Sequence, residues 1–142
     1  EVNNSISYSI IPLLKNTKAL DLPIITNLKI NDDEILSKNK KNIKKNKKII
    51  DSYKILTVMG EIDVDMSKNL SEINFGNDNV QLIFNNLKPI IILEEKKIVK
   101  NLVVLNEILI HNELKNSLSD AKYIDFRYDN YVFIGNNESI KI

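Results

Sequence analysis

The sequence predicts an α+β fold: an antiparallel or mixed β-sheet packed against a long buried helix, with a second, lysine-faced amphipathic helix. Three observations predict it. Short strand-like runs gather between residues 55 and 94, with two-residue alternation clear at 80–85, and return at 123–135. Glu95 to Leu118 repeats its apolar residues at helical spacing. Asn31 to Tyr53 puts apolar residues on one side of a helix and lysines on the other.

Along the chain, Ser5–Leu14 (SISYSIIPLL) is apolar and β-rich, with Pro12 suited to an edge or a strand end. Leu20–Asn27 (LDLPIITN) is a short extended piece, because Pro23 keeps Leu22 out of the helical region. Asn31 is the predicted N-cap of the next helix, with Glu34 three residues on as a variant capping box. Asp32, Asp33 and Glu34 sit at the positive end of the dipole and the lysines follow. Asn39, Asn42 and Asn46 dilute its apolar side.

Ile55–Met66 (ILTVMGEIDVDM) is predicted as a strand with Gly60 a bulge. Leu70–Phe75 is a second strand, and Gly76–Asn79 a turn. Val80, Leu82 and Phe84 alternate with Gln81, Ile83 and Asn85, which reads as a half-buried strand. After the turn at Asn86–Lys88, the run PIIILE gives another strand and completes an antiparallel meander. The apolar residues of Glu95–Leu118 cover well over half the helix, which predicts burial on more than one side. Ser119–Asp120 ends it, and two strands close the chain.

The whole of 1–142 reads as one domain, long enough to bury a core from its 43% apolar residues. Ile, Lys and Asn number 24, 19 and 21, a skew that resembles AT-rich coding and discounts any single Lys or Asn. The net charge of +1 argues neither for nor against nucleic acid. The absence of cysteine excludes disulfides and thiolate metal sites. No run approaches a membrane span. The start at Glu1, without a methionine, reads as a processed or trimmed segment, consistent with a preceding signal or anchor.

Candidate chemistry is sparse. The lysine run of helix 31–53 is the only basis for a nucleic-acid-binding module, and its arrangement is that of a solvated helix face without interleaved aromatics. Glu61, Asp63 and Asp65 share one face of the expected strand, the sole hint of a hydrolase, and an exposed strand face gives the same pattern. His111 is the only histidine and has no triad or metal partner of its kind. No cofactor is expected.

The C-terminal stretch is more specific. In YIDFRYDNYVF, Arg127 is the only arginine of the protein. Asp125 and Arg127 are same-face neighbours on a strand, and arginine can fork onto a carboxylate where lysine cannot. Two structural roles remain open: a sheet-stabilising pair, or a lock of wider reach. Behind it, Tyr131, Val132 and Phe133 make the last strand an apolar edge, which a partner, the C-terminal tail or a second copy would have to cover.

Ile124-Asp125-Phe126-Arg127-Tyr128, followed by one more strand, resembles the "IDLRY" signature of the FtsQ/DivIB family of bacterial cell-division proteins. Leu22-Pro23-Ile24-Ile25-Thr26-Asn27 stands where that family has "LPxxTG", and Ser71-Glu72-Ile73, the meander and the long helix follow in the same order. The resemblance is strongest over 22–135. Asn27 replaces the usual glycine, the meander has Asn86 and Lys88-Pro89 where glycines are frequent, and no membrane helix or POTRA domain lies in this chain. The resemblance implies a non-enzymatic scaffold at the division septum, outside the cytoplasmic membrane, with a parent protein anchored by an N-terminal helix. It implies FtsB-like and FtsL-like partners, no nucleic acid, and strand addition along the last strand. The implied partner-binding residues are Tyr128, Asp129, Asn130, Tyr131, Val132, Phe133, Ile134 and Gly135, with Asp125, Arg127 and Pro23 structural.

Overall fold

The computed structural model describes residues 22–29, 46–111, 113 and 115–136. It contains β1 (Ile24–Thr26), α1 (Lys47–Ile62), α2 (Val64–Asn69), β2 (Leu70–Phe75), β3 (Asn79–Phe84), β4 (Ile90–Glu94), a 3-10 turn (Glu95–Lys97), α3 (Ile98–Ile110), α4 (Lys115–Ser119), β5 (Tyr123–Asp125) and β6 (Phe133–Gly135). The six strands form one mixed sheet in chain order. The pairs β2–β3, β3–β4 and β5–β6 are antiparallel, while β1–β2 and β4–β5 are parallel. The fold is therefore α+β, and the meander lies where the three strand-like runs put it.

The two parallel pairs explain the helices. A parallel neighbour cannot be reached by a hairpin, so each pair needs a crossover. Strands β1, β2, β4 and β5 run the same way, and both crossovers step in the same direction across the sheet. Right-handed crossovers then place α1 and α3 on one face. Ile55 and Met59 of α1 and Leu102 and Leu105 of α3 share one core cluster with the inner sheet residues. Across that face the register aligns Ile25, Ile73, Leu82, Ile91, Ile124 and Ile134, an aliphatic row that spans all six strands. Its four central members, Ile73, Leu82, Ile91 and Ile124, are fully buried and form the floor of the core.

Several expectations are corrected. Ile55–Met66 is not a strand. Ile55–Ile62 belongs to α1, whose buried positions Asp51, Ser52, Ile55 and Met59 recur at helical spacing. The five-residue alternation of EIDVD loses to the crossover requirement, and Gly60 lies within the helix rather than in a bulge. Asp63 breaks the helix: its carboxylate accepts from the amides of Asp65 (2.8 Å) and Met66 (3.2 Å) and caps α2. The lysine-faced helix expected over 31–53 is not continuous: Asn46 is extended, and α1 starts after it and runs on to Ile62. Asn46 caps α1, its side chain accepting from Lys48 N–H at 3.0 Å. The predicted cap at Asn31, its capping box at Glu34, and the lysines at 38–45 lie outside the described residues, as does Ser5–Leu14.

The expected helix of 95–118 is divided. His111 is extended (φ −74°, ψ 109°) and its N–H closes α3 onto Glu107 O. Nor is α3 buried on several sides. Ile98, Asn101, Leu102 and Leu105 face the core, while Val99, Val103 and Ile110 are exposed. Strand β3, expected to be half-buried, has Gln81 buried along with Val80 and Leu82.

Candidate functional site

Strand β5 and the turn and strand after it form the site that the sequence singles out. Asp125 ends β5 and is 4% exposed. Arg127 meets it through two side-chain nitrogens, with Nε to Oδ1 at 3.0 Å and Nη2 to Oδ2 at 2.7 Å. The Arg127 backbone N–H also donates to Asp125 Oδ1, at 3.0 Å. One carboxylate thus holds both the side chain and the main chain two residues on, and this clamps the exit of β5. The bonding to Asp125 raises the Arg127 guanidinium pKa still further above neutrality. A lysine has neither the fork nor the planarity to repeat this.

Beyond the clamp the chain turns. Tyr128, Asp129 and Asn130 form the turn, and Asn130 adopts φ 63°, a left-handed conformation that asparagine tolerates. The region 129–135, expected as one docking strand, is a strand only over Phe133–Gly135. Asp129 pairs with Lys97 at 2.5 Å, and Lys97 also meets Glu94 at 2.8 Å. The hydrogen bond from Lys97 holds the Asp129 carboxyl below the usual carboxylate range, and the same contact raises Lys97. The turn is thereby tied to the 3-10 entry of α3.

Tyr128 packs edge-on against Phe133, with ring centroids 4.6 Å apart. Val132 is half-buried against the core cluster. Tyr131 is 70% exposed and Phe133 49%. Ile134, the last member of the aliphatic row, is still 36% exposed. Strand β6 is the terminal strand of the sheet, and its outer side has no ladder partner among the described residues. Between α3 and the turn lies a cleft of about 250 Å³ walled by Lys97, Lys100, Val104, Phe126, Tyr128 and Tyr131.

Sequence alone does not single out Lys97 or Tyr123 for this region. Lys97 is one lysine among many, and only the fold carries it to Asp129. Gly135 lies directly opposite Tyr123, a pairing that cannot be counted before the length of the 126–132 turn is known. Pro23, assigned a structural role, precedes β1 at the opposite edge of the sheet and does not join this site.

The other candidates are dispersed. Glu61 lies in the last turn of α1, Asp63 is the junction and Asp65 lies in the first turn of α2, so they do not share a strand face. Among the described residues no group of three His, Cys, Asp or Glu could hold a metal ion. His111 is exposed at the end of α3. Of the lysine run, Lys47 pairs with Asp51 (2.7 Å) and with Glu95, contacts that raise its pKa. Lys48 donates to Asn27 O at 3.2 Å and lies 5.5 Å from the centre of the Phe75 ring. Both are engaged within the chain. No helix among the described residues is long and apolar enough to cross a membrane. No protein-family model, no curated protein and no solved structure matches this chain.

Proposed function

We propose that this chain is a non-enzymatic docking domain of the FtsQ/DivIB kind, which adds an extended segment of an FtsB-like partner, itself paired with an FtsL-like protein, to the outer side of β6. Its place of action is the division septum, on the extracytoplasmic face of the cytoplasmic membrane. The observation that carries this reading is the edge strand: β6 has no outer ladder partner among the described residues and exposes Phe133 and Ile134 just after the Asp125–Arg127 clamp. Such an edge offers main-chain hydrogen bonds for affinity and alternate side chains for specificity. A second feature agrees. Asn27, which stands where the family pattern has glycine, adopts φ 57°, a conformation natural to glycine and tolerated by asparagine.

The test is a calorimetric titration of the chain with an extended segment of a cognate FtsB-like protein. Successive residues of a strand point their N–H groups to opposite sides, so one of Phe133 and Ile134 donates outward and the other toward β5. Proline at the outward position should abolish binding and leave the circular dichroism spectrum unchanged. Binding should also vary little with salt. If folded Phe133→Pro and Ile134→Pro variants both bind like the parent, the docking edge is elsewhere. A steep loss of affinity for DNA or RNA with rising salt would favour the lysine-rich segment as a nucleic-acid site instead.

A further inference from the structure

Gly135 is the last residue of β6 and faces Tyr123 across the β5–β6 pair. A Cβ built on Gly135 would fall into the Tyr123 ring, against Cζ, Oη and Cε1. The far end of the phenol therefore fills the volume where any other residue at 135 would carry its side chain. The backbone does not call for glycine here, since no glycine of the described residues has a positive φ. The ring alone does.

Tyr123 belongs to the sheet face away from the helices, because Ile124 beside it is fully buried in the helix-side core and side chains alternate along a strand. The end of its ring lies over Gly135 of β6, the terminal strand of the sheet. The hydroxyl has no hydrogen-bond partner among the described residues. A strand added beside β6 would lie one strand spacing, about 4.8 Å, farther out. At the level of Gly135 its side chain would meet the Tyr123 hydroxyl, not a side chain of β6. On the opposite face, the aliphatic row ends open at Ile134.

We propose that Tyr123, reaching over Gly135, is the specificity-determining contact of this edge. The occupant is an extended polypeptide with a hydrogen-bond acceptor side chain (Asp, Asn, Glu or Gln) beside Gly135 and an aliphatic residue beside Ile134. This rests on the docking reading above and names the chemistry of its partner. The phenol donates to the acceptor, and the aliphatic residue extends the row by one strand.

The experiment pans a random-sequence peptide display library on the parent chain and on Tyr123→Phe, with Phe133→Pro and Ile134→Pro as edge controls. The expected peptides bind the parent, fail on one of the proline variants, and carry an acceptor next to an aliphatic residue. They should bind Tyr123→Phe about five-fold more weakly, the loss of one net hydrogen bond. Panning on Tyr123→Phe itself should enrich no acceptor at that position. Gly135→Ala, which must displace the ring, should show the same loss of preference. Its fold is checked by circular dichroism, and Tyr123→Ala/Gly135→Ala makes room for the methyl if the single variant does not fold. A merely structural role for Tyr123 would lower the denaturation midpoint and leave the preference intact. Peptides that need the β6 edge yet show no acceptor preference, or that bind Tyr123→Phe as tightly as the parent, overturn this inference while docking stands. Recovery of no β6-dependent peptide overturns the docking reading and this inference with it.

Discussion

Arg127 is held by the Asp125 carboxylate through Nε, Nη2 and its own backbone N–H, on a residue that is almost wholly buried. Truncating the fork leaves a buried carboxylate short of donors, so Arg127→Lys should cost about 1 kcal/mol or more in chemical denaturation. A double-mutant cycle with Asp125→Asn should return a clear coupling between the two positions, and additive effects would argue against the clamp. Asp129 gives a pH-dependent signature. Its folded pKa is depressed by Lys97, so the contact is fully present above the ordinary carboxylate value of about 3.9 and is lost as pH falls through the depressed one. An NMR titration should place the Asp129 midpoint below about 3.9, and Lys97→Met should return it there. An unshifted midpoint in the parent would remove the tie between the turn and α3.

The elements record where local preference won and where it lost. Leu70–Phe75 and the 80–84 run became β2 and β3 because their recurring apolar residues agree with burial on the sheet, and the continuous apolar run of PIIILE became β4, whose Ile91, Ile92 and Leu93 are all buried. Ile55–Ile62 holds β-branched residues and a glycine, yet it is helical, because β1 and β2 are parallel and a crossover must join them. Gly60 there has nothing within 4 Å of an added Cβ. Gly60→Ala should raise stability by roughly 0.5–1 kcal/mol through backbone entropy and helix propensity. A lowered denaturation midpoint in that variant would contradict the helical assignment.

At the scale of the molecule, the aliphatic row from Ile25 to Ile134 couples the helix-covered core to the exposed edge. Ile124 stands between the buried interior of that row and Ile134, at no exposure. Ile124→Ala should cost about 2–5 kcal/mol by lost transfer energy and the cavity left behind. The denaturant slope should stay unchanged, since the surface exposed on unfolding is nearly the same. A loss below about 1 kcal/mol would mean that β5 is loosely packed and a poor support for a docking edge.

The sequence by itself determined the α+β class, the three-strand meander, the closing β5–β6 pair and the Asp125–Arg127 neighbourhood. Each rests on period-2 alternation, turn residues or two-residue spacing, signals that act within a few positions of the chain. The tertiary structure alone decided the parallel crossovers, the helical state of 55–62, the break at His111 and the meeting of Lys97 with Asp129. It also decided the covering of Gly135 by Tyr123. Those outcomes depend on which strands become neighbours, and at equal local preference the burial of a shared core chooses between helix and strand. The residues that most define the candidate edge, Tyr123 and Ile134, owe their roles to cross-strand register, which a linear sequence does not display until its turns have closed.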